Sequence, residues 1–112
     1  MMLYQNNIIT HISSFDAFTI MDELKKGIIK RSIIENLLTP PRWGGRHTEL
    51  SNLKKGLTAE LLTTKEGKKL TEKAIKELIN DGLLLCKKST GELHVSLNPE
   101  KKEAIMRFVE NA

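Results

Sequence analysis

The stretch from Lys73 to Leu97, KAIKELINDGLLLCKKSTGELHVSL, changes its hydrophobic period halfway along. That change restricts the fold more than any other feature of the chain. Up to Asp81 the apolar residues Leu70, Ala74, Ile75, Leu78 and Ile79 recur at helical spacing, while Lys69, Glu72, Lys73, Lys76 and Asn80 fall on the other side. This predicts a helix from about Lys68 to Asp81. Gly82 follows where a helix end favours a left-handed residue. Beyond it, Leu83 to Cys86 is an apolar run, KKSTGE reads as a turn, and LHVSL alternates with period two. That pattern predicts a β-hairpin with Gly91 at positive φ. A helix feeding straight into a hairpin makes the chain α+β, and both elements need a further layer to cover their apolar sides.

The upstream sequence supplies helices for that layer. LYQNNIITHI is weakly patterned and fits a strand or a loose arm. Ser13 or Ser14 can cap a helix, with Asp16 favouring its positive end, and Phe15, Phe18, Met21 and Leu24 then recur at helical spacing. Gly27 either ends or bends this helix. Ile28 to Leu38 places Ile29, Ile33 and Leu37 on one face, as a second helix or a continuation of the first. Pro40 and Pro41 stop it, since proline lacks the N–H that a continuing helix needs. In TPPRWGGRHTEL, residues 39–50, the glycines permit a reversal and Trp43 reads as cover for an aromatic-poor core. Thr48 is a predicted N-cap for a short helix carrying Leu50, Leu53 and Leu57, with Gly56 as its stop. AELLTT offers another short piece, and Gly67 reads as a break before the long helix. Asn98-Pro99 ends the hairpin and caps a last helix to Glu110, with Ala104, Ile105, Phe108 and Val109 on one side. The expected organisation is an N-terminal arm and helix over 1–27, a central domain over 28–97 and a C-terminal helix over 98–112.

With 112 residues and 39% hydrophobic content, one domain with a modest core is expected. Aromatics make up only 4%, so that core must be built from Ile and Leu. No apolar run approaches the roughly 20 residues that span a bilayer, and the first residues lack a signal-peptide pattern. The single cysteine, Cys86, cannot form an internal disulfide. These features lead to the expectation of a cytoplasmic protein without membrane contact. The net charge of +4 is not spread evenly. Between Arg42 and His94 there are 11 Lys+Arg against 7 Asp+Glu, and the remainder carries 7 of each. A localised basic field attracts polyanions, although an ordinary Lys/Glu-rich surface has the same composition.

Chemistry-bearing motifs are lacking. Cys86, His11, His47 and His94 have no metal-ligand spacing, and Cys86 in an apolar strand reads as a buried structural thiol. Gly67-Lys68 resembles a phosphate loop only superficially: the first glycine would be Leu62 and the hydroxyl residue Lys69. The carboxylates alternate with lysines along helix faces, as solvated ion pairs do. No cofactor, metal or enzymatic activity is expected.

The order of elements, and above all KAIKELINDGLLLCKKSTGELHVSL, resembles a winged helix-turn-helix DNA-binding domain over roughly Ile28 to Leu97. The residues that carry the likeness are Ile75, Leu78, Asp81, Gly82 and Leu83 to Leu85. RWGGRHTELSNLKKG and HVSLNP also resemble a small archaeal group of winged-helix proteins. GLTAELLTTKEGK, residues 56–68, is longer than the turn of many such units, which leaves the start of the recognition helix open.

The resemblance implies a mostly helical α+β fold with a hairpin wing and flanking helices. It also implies double-stranded DNA as partner and a role in transcription regulation. The helix near Lys68 to Asn80 would enter the major groove. The residues implicated are Thr64, Lys65, Lys68, Lys69, Lys73 and Lys76, with Thr71 as a further donor, then Lys87 and Lys88 on the wing tip, and Arg42 and Arg46 in the preceding loop. Asn80 alone is suited to base edges, so phosphate contacts are expected to dominate. Phe15, Phe18 and Met21, with Ile105, Phe108 and Val109, either pack together or pair two chains as a homodimer. The alternative is a winged-helix module that binds a protein and no nucleic acid, since Glu66, Glu72 and Glu77 interrupt the basic helix face.

Overall fold

A computed structural model describes residues 14–111, with side chains from residue 17 onward. LYQNNIITHI, His11 and the Phe15 side chain lie outside the described residues. Helix α1 (Ser14–Leu38) is continuous through Gly27. Its C-terminal half buries Ile29, Ile33, Ile34 and Leu37. Pro40 and Pro41 follow its end, and the chain turns back with the Arg42 amide donating to the Leu37 carbonyl at 2.8 Å.

The next element departs from expectation. Thr48 is not a helix cap. With Glu49 it forms strand β1 (Thr48–Glu49), antiparallel to Val95 and His94. Thr48 is buried there, a setting that suits a β-branched side chain. The free edge of the hairpin outbids the local capping signal. Helix α2 (Leu50–Lys54) then starts at Glu49, whose side chain makes no cap hydrogen bond. Leu53 and Leu57 enter the core. Helix α3 (Ala59–Thr63) follows, and helix α4 (Lys65–Asn80) begins earlier than the pattern predicts. Gly67 does not break it. Thr64 is the N-cap, its hydroxyl accepting from the Gly67 amide at 3.0 Å, so the glycine lies inside the first turn.

The end of α4 follows the sequence pattern. Gly82 has φ 78°, and the Gly82 and Leu83 amides donate to the Ile79 and Leu78 carbonyls, both at 3.0 Å. This is the Schellman arrangement that a C′ glycine allows. Strands β2 (Leu84–Ser89) and β3 (Glu92–Leu97) form the hairpin, joined by Thr90 and Gly91, both at positive φ. The sheet order is β1-β3-β2, all antiparallel. Asn98 accepts from the Glu100 amide at 3.1 Å and donates through Nδ2 to the Gly82 carbonyl at 2.8 Å, which ties the hairpin base to the end of α4. A 3₁₀ turn (Pro99–Lys101) leads into helix α5 (Lys102–Asn111). The protein is thus a mostly helical α+β domain with a small three-stranded sheet.

The core is aliphatic: among the described residues no aromatic is buried, and Ile29, Ile33, Leu37, Leu78, Val95 and Leu97 form its centre. Cys86 is exposed, against the expectation of a buried thiol. It lies on the edge strand β2, which leaves the core after Leu84. Ile105 is fully buried and Phe108 packs partly against the core, so α5 completes the chain's own interior. Ile105 is therefore unavailable to a second chain. Among the described residues, no helix is long and apolar enough to cross a membrane.

One charged cluster locks α4 to α1. Glu77 accepts from Lys26 at 2.5 Å and from Lys30 at 2.6 Å, and Lys26 also meets Glu23 at 2.8 Å. Hydrogen bonds from Lys26 and then Lys30 lower the Glu77 carboxyl from 4.5 to about 2. The carboxylate's stabilisation is therefore complete above pH 4.5 and is lost as pH falls towards about 2. The Glu77 side chain is 38% exposed, so screening limits the effect. Glu77→Gln is expected to cost about 1 kcal/mol in urea denaturation at pH 7. It should also flatten the acid-induced loss of stability across that window. Equal stability of the two proteins at pH 7 would show that the cluster contributes nothing.

Candidate nucleic-acid interface

Helix α4 presents its lysines because the opposite side is used up. Gly67, Thr71, Ala74, Ile75 and Leu78 are buried. On a helix with 3.6 residues per turn, the positions farthest from that face are Lys69, Lys73, Lys76 and Asn80, separated by steps of four, three and four. All are exposed, and no acidic residue stands in the row. Lys65 lies in line with Lys69 at the N-terminal end, and Lys68 and Glu72 border the row on the hairpin side; all three are exposed. Glu77, which in the sequence dilutes the basic face, is turned towards α1 and neutralised by Lys26 and Lys30. Glu66 and Glu72 remain.

Two hydroxyls in the sequence-based set serve the backbone. Thr64 donates to the Glu60 carbonyl at 2.8 Å while capping Gly67, and buried Thr71 donates to the Gly67 carbonyl at 2.8 Å. Thr64 holds the α3–α4 corner, and Thr71 bonds back within α4. Thr71 in particular cannot reach a ligand.

The wing lysines are not in a turn. Lys87 and Lys88 lie in the ladder, opposite His94 and Leu93. Adjacent strand residues point to opposite faces, so only one of the pair can face α4. Leu93 lines a surface groove with Leu50, Ile75 and Ile79, flanked by Lys54, Glu72 and Lys76. Lys88 shares the Leu93 face, the side of the sheet that the α4 groove uses. Lys87 shares the His94 face on the reverse of the sheet. Lys54 was missed in the sequence; its proximity to Lys76 depends on the fold of α2 against α4.

Arg42 and Arg46 are placed elsewhere. The Arg42 carbonyl accepts from the Leu97 amide at 2.8 Å, and Trp43 bridges to Leu97, so this loop sits at the hairpin base. Leu97 is four residues from Leu93, or ~13 Å along the strand. Trp43 is half-buried against the core, with the Lys102 ammonium 5.9 Å from its ring centroid. Arg46 is exposed and precedes β1, on the sheet edge opposite the strand of Lys87 and Lys88. The loop is a packed joint, and its arginines do not join Lys88.

A contact that sequence spacing could not reveal lies on the reverse face. The Nδ1 atoms of His47 and His94 are 3.0 Å apart, with the rings edge to face. One ring must donate and the other accept. Among the described residues, no group of three or more His, Cys, Asp or Glu side chains could hold a metal ion. No protein family, curated protein or solved structure matches the chain.

Proposed function

We propose that this chain is a winged helix-turn-helix protein that binds double-stranded DNA and regulates transcription, with α4 as its recognition helix and the β2–β3 hairpin as its wing. The element order supports this reading: helix, short strand, short helices, long helix and hairpin, with the first strand paired to the last. The observation that carries it is the acid-free row Lys69, Lys73, Lys76 and Asn80, with Lys88 on the sheet face that α4 borders through Leu93. A helix of this kind fits the major groove, and lysines contact phosphate oxygens on either side. Bidentate base readers are scarce on the row, so binding is driven by charge and reads sequence weakly. The chain acts by binding, with no catalysis and no cofactor.

A second reading is kept by a specific observation. The groove of Leu50, Ile75, Ile79 and Leu93 exposes apolar surface beside α4. A protein partner would use that groove and ignore the lysine row.

The two readings separate in one titration. By fluorescence anisotropy at low salt, a random labelled duplex is expected to bind with micromolar or tighter affinity. Lys88→Glu should weaken it about tenfold, and Lys87→Glu by much less, because their side chains lie on opposite sheet faces. Unchanged affinity on Lys88→Glu would remove the wing from the interface, and an equal tenfold loss from both changes would contradict the one-face assignment. No duplex binding at low salt would overturn the proposal.

A further inference from the structure

The first half of α1 is apolar on the side that the protein leaves open. Phe18 is 74% exposed, Met21 52%, Leu24 59% and Ile28 68%. The core residues Ile29, Ile33 and Leu37 occupy the opposite side of the same helix. A helix with two apolar faces is made to be covered twice. The fold covers one face with α4 and α5 and leaves the other in water.

The spacing of the open residues is specific. Ala17, Met21, Leu24 and Ile28 follow steps of four, three and four, the a/d rhythm of a two-helix seam. Ile20, 48% exposed, and Phe18 flank the seam and widen it. Gly27 borders it, and nothing lies within 4 Å of the position its Cβ would take. Another helix can therefore approach closely there.

We infer that this face, from Ala17 to Ile28, is the seam along which a second copy of the chain packs α1 against α1. Charge does not oppose a copy: Lys26 is buried on the α4 side with Glu23 and Glu77, and of the charged residues between Ala17 and Ile28 only Lys25 stands near the seam. Area is sufficient. Covering these side chains on two helices removes on the order of 1,000 Å² from water, the size that a specific interface needs. Each chain contributes about half of that area, an apolar patch towards the upper end of what monomers carry. The contact involves neither α4 nor the hairpin, so it is independent of the proposed DNA binding and leaves both nucleic-acid faces free. It differs from an interface built on Ile105, which the core has consumed.

Sedimentation velocity of the full chain at about 100 µM tests the inference. The expected species has twice the 12.7 kDa chain mass. Met21→Lys with Leu24→Lys should give a monomer with unchanged helical circular dichroism, because both sites are exposed. Ile28→Glu, on the same seam, should weaken the dimer at least tenfold. A wild-type monomer at that concentration overturns the inference, as does a dimer that survives both variants. Duplex affinity measured per monomer on a short site should be the same for the monomeric variant, which keeps this test separate from that of DNA binding.

Discussion

Replacing Lys69, Lys73 and Lys76 together by Glu is expected to abolish duplex binding, with a loss on the order of 100-fold or more at moderate salt. The three ammonium groups stand in one exposed row with no acid among them, and under the proposed function each meets a phosphate. Their loss should also show in the salt dependence. Each phosphate contact releases condensed counterion, so the slope of log affinity against log salt should become shallower by roughly three. The fold should survive. Exposed surface substitutions cost about 0.5 kcal/mol or less, and new repulsions with Glu72 and Glu66 add only a few tenths each. Thermal melting of the triple variant checks this. A variant that melts like the wild type yet keeps its affinity and slope would remove α4 from the interface.

The largest effect on stability is expected from the smallest substitution, Gly67→Ala. Inside a helix, alanine normally stabilises relative to glycine by roughly 0.5–1 kcal/mol. Here the sign should reverse. A Cβ at residue 67 would lie 2.7 Å from the Glu60 carbonyl oxygen, 2.7 Å from the Leu61 Cα and 2.7 Å from the Thr64 hydroxyl. Two of these are backbone atoms, which cannot swing aside. The first turn of α4 must move away from α3, and the Thr64 cap is lost with it. The expected cost is about 3 kcal/mol, the range of forced overpacking plus a lost cap. Urea denaturation measures it directly. Unchanged or increased stability would show that α3 and α4 are not closely apposed. Such a corner between two helices is what the proposed helix-turn-helix reading requires, so duplex affinity should fall with stability.

Local signals explain what was legible in the sequence. The α4 stripe, the Gly82 stop, the positive φ of Gly91 and the Asn98 cap each depend on residues a few positions apart, and the structure has all of them. The missed features depend on partners far along the chain. Thr48 looks like a cap until the edge of β3 is present to pair with it. Gly67 looks like a break until α3 lies against it. Cys86 reads as buried because its neighbours are apolar, yet its strand is at the sheet edge.

The candidate site divides in the same way. Lysines on one helix could be found by counting, and Glu77 could not be removed from that face without knowing that Lys26 and Lys30 come to meet it. Lys87 and Lys88 look equivalent in sequence and part company only when strand pleating separates their faces. The His47–His94 contact joins residues 47 positions apart and leaves no sequence trace.

Chemical-shift mapping tests whether duplex DNA meets the α4 lysine row. A short duplex is titrated into the isotope-labelled protein at low salt, and backbone and Lys side-chain resonances are followed. Perturbations are expected to concentrate on Lys65, Lys69, Lys73, Lys76, Asn80 and Lys88 and to be reversed by added salt. Perturbations confined to the Leu50–Leu93 groove or to α1, or none at all, would contradict it.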